Sequence, residues 1–124
     1  MTGTAHILII DDNAAFSRIL VDCLAAVGYA VDAACDGERG IARFEAHRPD
    51  VVLLDLELPG MSGATVLAEL RRIDRTVPVL VLSGEPDPHL AHSLVTRGAF
   101  ACLQKPFALG ELERVVRAAL STAA

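Results

Sequence analysis

Three short apolar runs, each followed at once by a polar side chain, restrict the folds open to this chain more than any other feature. The runs and the residues that end them are 7–10 with Asp11, 51–54 with Asp55, and 79–82 with Ser83. Each run is continuously apolar rather than alternating with polar residues, which is typical of strands covered on both faces. Such strands belong to parallel sheets with helices on both sides.

Helical segments separate these runs. Asn13 and Asp87 are predicted to cap the first and fourth helices, the second opens at Asp36-Gly37, the third covers 62–74, and a fifth runs through 112–120. Weaker strands are predicted over 29–34 and 100–103. The apolar face of the first helix is assigned to Phe16, Ile19, Leu20, Cys23, Leu24 and Val27. Strand and helix therefore alternate five times, which predicts a doubly wound (βα)5 fold of the α/β class with a five-stranded parallel sheet.

The composition fits one compact domain and excludes several kinds of partner. Of the 124 residues, 52% are hydrophobic and 22% charged, and the net charge of −5 offers no basic face for nucleic acid. No apolar run approaches the ~20 residues of a membrane span, and we expect neither membrane contact nor a secretory signal. Cys23, Cys35 and Cys102 lie in apolar segments without metal-ligand spacing. We expect all three to be reduced core residues of a cytoplasmic protein.

Chemically active side chains stand at the carboxyl ends of the predicted strands. They are Asp11, Asp12, Asp55, Ser83 and, after the fifth strand, Lys105. In a parallel sheet these ends meet at one edge, where α/β proteins bind ligands. Three carboxylates ~4 Å apart repel by several kcal/mol at an effective dielectric near 20, so either some are protonated or a cation lies between them. Oxygen ligands in a watery cleft favour Mg²⁺ before Ca²⁺.

Each of these residues also has a structural interpretation when taken singly. Asp12 could cap the first helix, Ser83 could cap a loop, and Lys105 could be a solvated surface charge. Their coincidence at one edge favours a functional site. A metal-bound carboxylate can attack a phosphoryl group, while Mg²⁺ and an ammonium neutralise its oxygens. The set therefore predicts a phosphoryl acceptor, with Asp55 as the nucleophile because it projects from the central strand.

Five short motifs carry a family resemblance. They are Ile-Asp-Asp at 10–12, Leu-Asp-Leu-Glu-Leu-Pro-Gly-Met-Ser-Gly at 54–63, Leu-Ser-Gly at 82–84, Gly-Ala at 98–99 and Lys-Pro-Phe at 105–107. In this order and spacing the sequence resembles the receiver (response regulator) domain of bacterial two-component signalling. The resemblance implies a single receiver domain over 1–124, with a core of about 6–121. It also implies the flavodoxin-like strand order 2-1-3-4-5.

The resemblance further implies a role for each site residue. Asp55 would take its phosphoryl group from the phosphohistidine of a sensor histidine kinase or a histidine phosphotransfer protein. Asp11, Asp12 and Asp55 would hold Mg²⁺ together with the backbone carbonyl of Glu57. The domain would catalyse only its own phosphoryl transfer and dephosphorylation, and would not otherwise be an enzyme.

Ser83 would be the switch hydroxyl and Lys105 would contact the phosphoryl oxygens. The Lys105–Pro106 peptide bond would be cis. Phosphorylation would change the binding of a downstream protein partner at the face formed by helix 4, strand 5 and helix 5. A homodimer, and the choice between a stand-alone protein and a piece of a longer regulator, are left open.

The sequence departs from the family in its aromatic switch residue. Receivers usually carry Tyr or Phe three residues before the lysine, where this chain has Cys102. Phe100 lies on the same side of an ideal strand and is the alternative aromatic. We expect weakened coupling between the site and the helix 4 face. Glu57 and Glu85 flank the site at positions that modulate acyl phosphate lifetime in the family, with the sign left open.

Two other functions compete with this interpretation. A receiver-like scaffold would bind its partners without phosphorylation. An Mg²⁺-dependent phosphatase with an aspartate nucleophile would also use an acid-x-acid motif such as residues 55–57. Such enzymes carry that motif early in the chain, followed by Thr or Val and usually by a cap insertion, and this sequence matches none of these features.

Overall fold

The computed structural model describes residues 4–84 and 87–122, which form five strands and five helices in alternation. The strands are β1 (His6–Ile10), β2 (Ala30–Ala34), β3 (Val51–Asp55), β4 (Val79–Ser83) and β5 (Ala101–Gln104). The helices are α1 (Ala14–Val27), α2 (Gly37–Ala46), α3 (Gly63–Ile73), α4 (Pro88–Thr96) and α5 (Leu109–Thr122). This confirms the predicted alternation, with β2 and β5 each starting one residue later than the sequence suggested.

All five strands pair in parallel in the order β2-β1-β3-β4-β5. The register pairs Ile10 with Leu54, Asp55 with Leu82, and Ser83 with Gln104. The carboxyl ends of β1, β3, β4 and β5 therefore lie side by side. The predicted doubly wound fold and its flavodoxin-like order are confirmed.

The sheet separates two hydrophobic cores, as strands covered on both faces require. One core contains Phe44, Leu67, Leu70 and Leu94 from α2, α3 and α4, together with alternate strand residues. The other contains Leu20, Leu24, Leu112 and Val116 from α1 and α5, together with the remaining strand residues. β1, β3 and β4 are almost fully buried, which explains their continuous apolar sequence.

Asn13 and Asp87 act as the predicted N-caps, and Asp36 and Ser62 cap their helices as well. The side chains of Asn13, Asp36, Ser62 and Asp87 accept backbone N–H groups from the first turns of α1, α2, α3 and α4. Each cap satisfies a donor that a helix start otherwise leaves without a partner. Because all strands are parallel and each is followed by a helix, the helices begin close to the edge where the strands end. The βα loops therefore lie together at that edge.

Two predictions about burial are wrong. Ile19 and Val27 are 54% and 59% exposed, because α1 packs on the sheet through a narrower stripe of Ser17, Leu20 and Leu24. Cys35 is exposed and not a core residue, since it follows the edge strand β2. Cys23 and Cys102 are half-buried, and all three thiols are free.

Within the described ranges, no helix combines the length and apolar character that crossing a bilayer requires.

Candidate functional site

Three carboxylates meet where β1 and β3 end. One ligand oxygen from each of Asp11, Asp12 and Asp55 lies within 4.8 Å of the others. Asp11 and Asp55 are buried, at 2% and 4% exposure, whereas Asp12 faces solvent. Asp11 and Asp12 follow β1, and Asp55 is the last residue of β3, so the pairing of these two strands creates the cluster.

Hydrogen bonds stabilise only part of the negative charge of this cluster. Oδ1 of Asp11 accepts the backbone N–H of Asn13 at 2.8 Å, and Oδ1 of Asp55 accepts that of Glu57 at 3.1 Å. Oδ2 of Asp11 is buried and finds no hydrogen-bond partner among the described residues. Burial raises the pKa of Asp11, and the neighbouring Asp55 carboxylate raises it further, against the lowering effect of the Asn13 amide and of Lys105.

Lys105 brings a positive charge to this cluster. Its Nζ lies 3.3 Å from Oδ1 of Asp55 and 3.7 Å from Oδ2 of Asp11, with 26% of the side chain exposed. It is therefore not a fully solvated surface charge. The backbone N–H of Lys105 also donates to the carbonyl of Ser83 at 2.7 Å, which ties the lysine to the end of β4. The predicted cis bond between Lys105 and Pro106 is confirmed.

Phe16 supports the lysine, a role that sequence analysis missed. The Lys105 ammonium lies 4.9 Å from the centroid of the Phe16 ring, within cation–π range. That ring in turn makes an edge-on contact with Phe107, with the centroids 6.0 Å apart. A sequence signal for this role was available, because Phe16 lies in the first turn of α1, four residues after Asp12. Periodicity alone assigned it to the core.

Ser83 and Glu57 form a second polar group beside the carboxylates. The buried Ser83 hydroxyl donates to Oε2 of Glu57 at 3.3 Å, and the backbone N–H of Gly84 donates to the same oxygen at 3.2 Å. The Glu57 side chain therefore bridges the β3–α3 loop and the end of β4. Glu85, the second acidic residue predicted to flank the site, lies outside the described residues.

A cleft opens between Ser83 and Cys102, the position at which the sequence departs from the receivers that it resembles. It measures about 240 Å³ and is lined by Ser83, Asp87, Pro88, Leu90, Ala91, Cys102 and Gln104. Burial raises the pKa of the Cys102 thiol, which disfavours its thiolate.

Phe100 does not substitute for the missing aromatic. It precedes β5 and packs with the α1–α5 core, whereas Cys102 contacts the core formed by α2, α3 and α4. The suggestion that both share one face is wrong, because Phe100 is not part of the regular strand.

The residues present fit a hard divalent cation. The donors are carboxylate oxygens within 4.8 Å of one another, and a buried oxygen of Asp11 has no hydrogen-bond partner among the described residues. Mg²⁺ prefers such oxygen ligands, keeps several waters and tolerates a partly open site. Together the cluster provides a nucleophilic carboxylate, ligands for a cation, an ammonium and a hydroxyl, which suits transfer of a phosphoryl group.

Comparisons with known proteins agree with this geometry. A family model described as response regulator receiver domain matches residues 7–117. The probable transcriptional regulator ycf27 of Porphyridium aerugineum is 38% identical over 114 residues, covering 92% of this chain and 47% of that protein. Regulatory protein AtoC of Escherichia coli (strain K12) is 34% identical over 120 residues, covering 97% of this chain and 26% of AtoC. The chain thus spans less than half the length of these two relatives.

A solved structure shares this fold. The crystal structure of a CheY-like response regulator receiver domain protein from Methanospirillum hungatei JF-1 matches with a TM-score of 0.93. The match covers 98% of this chain and 97% of that one at 24% sequence identity. At that identity the likeness concerns the fold alone.

Proposed function

The chain belongs to the family of response regulator receiver domains, and on that basis we propose that Asp55 accepts a phosphoryl group to control a signalling interaction. The observation that carries the proposal is the position of the Lys105 ammonium, 3.3 Å from Asp55 and 3.7 Å from Asp11. Three segments distant in sequence supply these charges, and the parallel sheet brings them to one edge. We further propose that residues 1–124 form one receiver domain with a core of about 6–121.

The proposed reaction is a displacement at phosphorus. A carboxylate oxygen of Asp55 forms the new P–O bond while the P–N bond of a phosphohistidine on a sensor kinase or histidine phosphotransfer protein breaks. Asp11, Asp12, Asp55 and the backbone carbonyl of Glu57 would hold Mg²⁺. When bound, Mg²⁺ supplies positive charge that offsets the negative charge on the transferred group.

The remaining residues act on the product. Lys105 pairs with the phosphoryl oxygens, and the Ser83 hydroxyl donates a hydrogen bond to them. Glu57 and Glu85 modulate the lifetime of the acyl phosphate. In this proposal the domain has no other catalytic role. We also propose a cytoplasmic location, because free thiols suit a reducing compartment.

The output surface is the face formed by α4, β5 and α5. A downstream protein partner binds there, and the state of Ser83 changes the affinity through the β4–α4 loop. Because Cys102 is small and borders a cleft of about 240 Å³, we propose that the response of this face is weaker than in receivers with an aromatic residue at this position.

The test is phosphorylation by a small donor. The protein is incubated with acetyl phosphate and Mg²⁺, and its intact mass is measured for the parent, Asp55→Asn and the surface control Asp22→Asn. We expect one added phosphoryl group on the parent and on the control, and none on Asp55→Asn or in EDTA. The proposal fails if the parent stays unmodified by acetyl phosphate and by histidine kinases in excess Mg²⁺. The scaffold function without phosphorylation would then replace it.

A further inference from the structure

The carboxylate of Glu57 occupies hydrogen-bond donors next to the phosphoryl acceptor. It accepts the Ser83 hydroxyl at 3.3 Å and the Gly84 backbone N–H at 3.2 Å through one oxygen. Its other oxygen lies 3.4 Å from the same Gly84 nitrogen. The Glu57 side chain is otherwise exposed, so these hydrogen bonds account for its orientation toward Ser83 and Gly84.

The same two donors are suitably placed for a group on Asp55. β3 and β4 are paired, with Asp55 opposite Leu82. Ser83 and Gly84 are the next two residues of the chain after Leu82, so they lie beside the end of β3. The backbone N–H of Glu57 donates to Oδ1 of Asp55, which holds the glutamate and the acceptor close together. A carboxylate and a phosphoryl group are both anions with oxygens that accept from N–H and O–H groups.

We propose that Glu57 is an internal competitor of the phosphoryl group, holding the Ser83 hydroxyl and the Gly84 amide until the phosphorylated state displaces it. The inference rests on the proposed function of Asp55. Glu57 is thus a positioning residue that acts through Ser83 and Gly84. Phosphorylation has to break the hydrogen bonds of Glu57, which costs free energy. The glutamate therefore destabilises the phosphorylated state relative to the resting state.

The first measurement concerns the resting protein. In Mg²⁺-free protein, Glu57→Ala removes the acceptor of the Gly84 N–H, and we expect a clear change in the chemical shift of that amide in ¹H–¹⁵N spectra. Glu38→Ala is the matched control. Glu38 is an exposed glutamate in the first turn of α2, which follows β2, and β1 and β3 separate β2 from the β4 strand that carries Ser83. An unchanged Gly84 amide in Glu57→Ala would overturn the proposal.

The second measurement uses beryllium trifluoride with Mg²⁺ as the phosphoryl mimic. Because the Glu57 side chain is exposed, its loss is expected to change the equilibrium by the amount of an ordinary net hydrogen bond, about three- to tenfold. We therefore expect Glu57→Ala to bind the mimic about three- to tenfold more tightly than the parent, and Glu38→Ala to bind within about twofold of it. Both variants keep every backbone carbonyl, so the proposed Mg²⁺ ligands are unchanged.

A general charge effect of Glu57 is separated by repeating the substitution in Ser83→Ala. Competition for the Ser83 hydroxyl predicts that the gain from Glu57→Ala shrinks when the hydroxyl is absent, whereas charge repulsion alone predicts equal gains in both backgrounds. Equal gains would overturn the proposal. If the mimic binds the parent and Glu57→Ala equally, only the competitor role fails. If it binds no variant, the proposed function of Asp55 fails, and the inference fails with it.

Discussion

Replacing Asp11 by Asn is expected to stabilise the Mg²⁺-free protein. In the parent, Oδ1 of Asp11 accepts the backbone N–H of Asn13 at 2.8 Å. The amide oxygen of the substituted Asn can accept the same hydrogen bond. The amide nitrogen takes the place of Oδ2, which is buried without a hydrogen-bond partner among the described residues and lies 3.7 Å from the Lys105 ammonium. The substitution therefore removes a poorly solvated charge while preserving shape.

The magnitude follows from three opposing effects on Asp11. Repulsion from Asp55, within 4.8 Å, amounts to ~3.5 kcal/mol at an effective dielectric of 20. Attraction to Lys105, at 3.7 Å, amounts to ~4.5 kcal/mol before screening, which its partial exposure reduces. These two nearly cancel, so the burial of an unsatisfied oxygen dominates at about 1–3 kcal/mol. For a chain of 124 residues each kcal/mol raises the Tm by about 3–5 °C.

The pH dependence has a defined sign. The pKa of Asp11 is raised in the folded protein above its ordinary value of 3.8, mainly by burial. The folded state therefore holds this proton more tightly than the unfolded chain does. Its contribution to the free energy of unfolding is greatest while Asp11 is protonated, and falls as the pH rises from about 4 through the raised pKa. Asp11→Asn lacks this decline, so its advantage over the parent grows with pH.

The assay is urea or thermal unfolding followed by far-ultraviolet circular dichroism, in EDTA and in Mg²⁺. Asp22→Asn is the control, because that side chain is 70% exposed and its loss is expected to cost less than about 0.5 kcal/mol. Mg²⁺ is expected to offset the advantage of Asp11→Asn, since a ligand at a hundredfold excess over its Kd stabilises the parent by about 2.7 kcal/mol. The reasoning is refuted if Asp11→Asn is no more stable than the parent in EDTA at neutral pH, or if Mg²⁺ stabilises both equally.

Three further predictions concern the fold, the cleft and the metal. Gly63→Ala should destabilise the protein by about 1–3 kcal/mol in urea unfolding, because its Cβ would lie 2.6 Å from Cα of Leu56, whereas Gly110→Ala, with open space around it, should stabilise by up to about 1 kcal/mol. Cys102→Phe should fill the adjacent cleft and widen the amide shift changes across residues 88–104 when beryllium trifluoride binds; shifts no wider than in the parent would contradict this. Removal of Mg²⁺ by EDTA should lower the Tm of the parent, and an unchanged Tm would argue against a metal site.

Much of the fold was predictable because its signals are local. A run such as residues 51–54 is apolar throughout because both faces of its strand are covered, and this is visible in a few neighbouring residues. Helix starts at Asn13 and Ser62 depend on a side chain that reaches a backbone N–H three residues away. The members of the acidic cluster were predictable as well, since parallel strands bring their carboxyl ends together whatever the details of packing.

The surroundings of those members were not predictable. Helical spacing allowed Ile19 and Leu20 to share a buried face, but α1 buries only Ser17, Leu20 and Leu24 and leaves Ile19 exposed. Alternation along a strand paired Phe100 with Cys102, but the chain is not yet in β5 at Phe100. In each case the sequence pattern did not specify which side chains the packed elements bury.

The amino-acid order by itself determined which segments become strands and helices, and which acids, hydroxyl and ammonium reach one edge of the sheet. Tertiary structure alone decided that Phe16 lies beneath the Lys105 ammonium and that the Glu57 carboxylate reaches Ser83, 26 residues along the chain. The physical reason is the range of the interactions. Caps and apolar runs act between neighbouring residues, whereas the partner of a side chain depends on how distant segments pack.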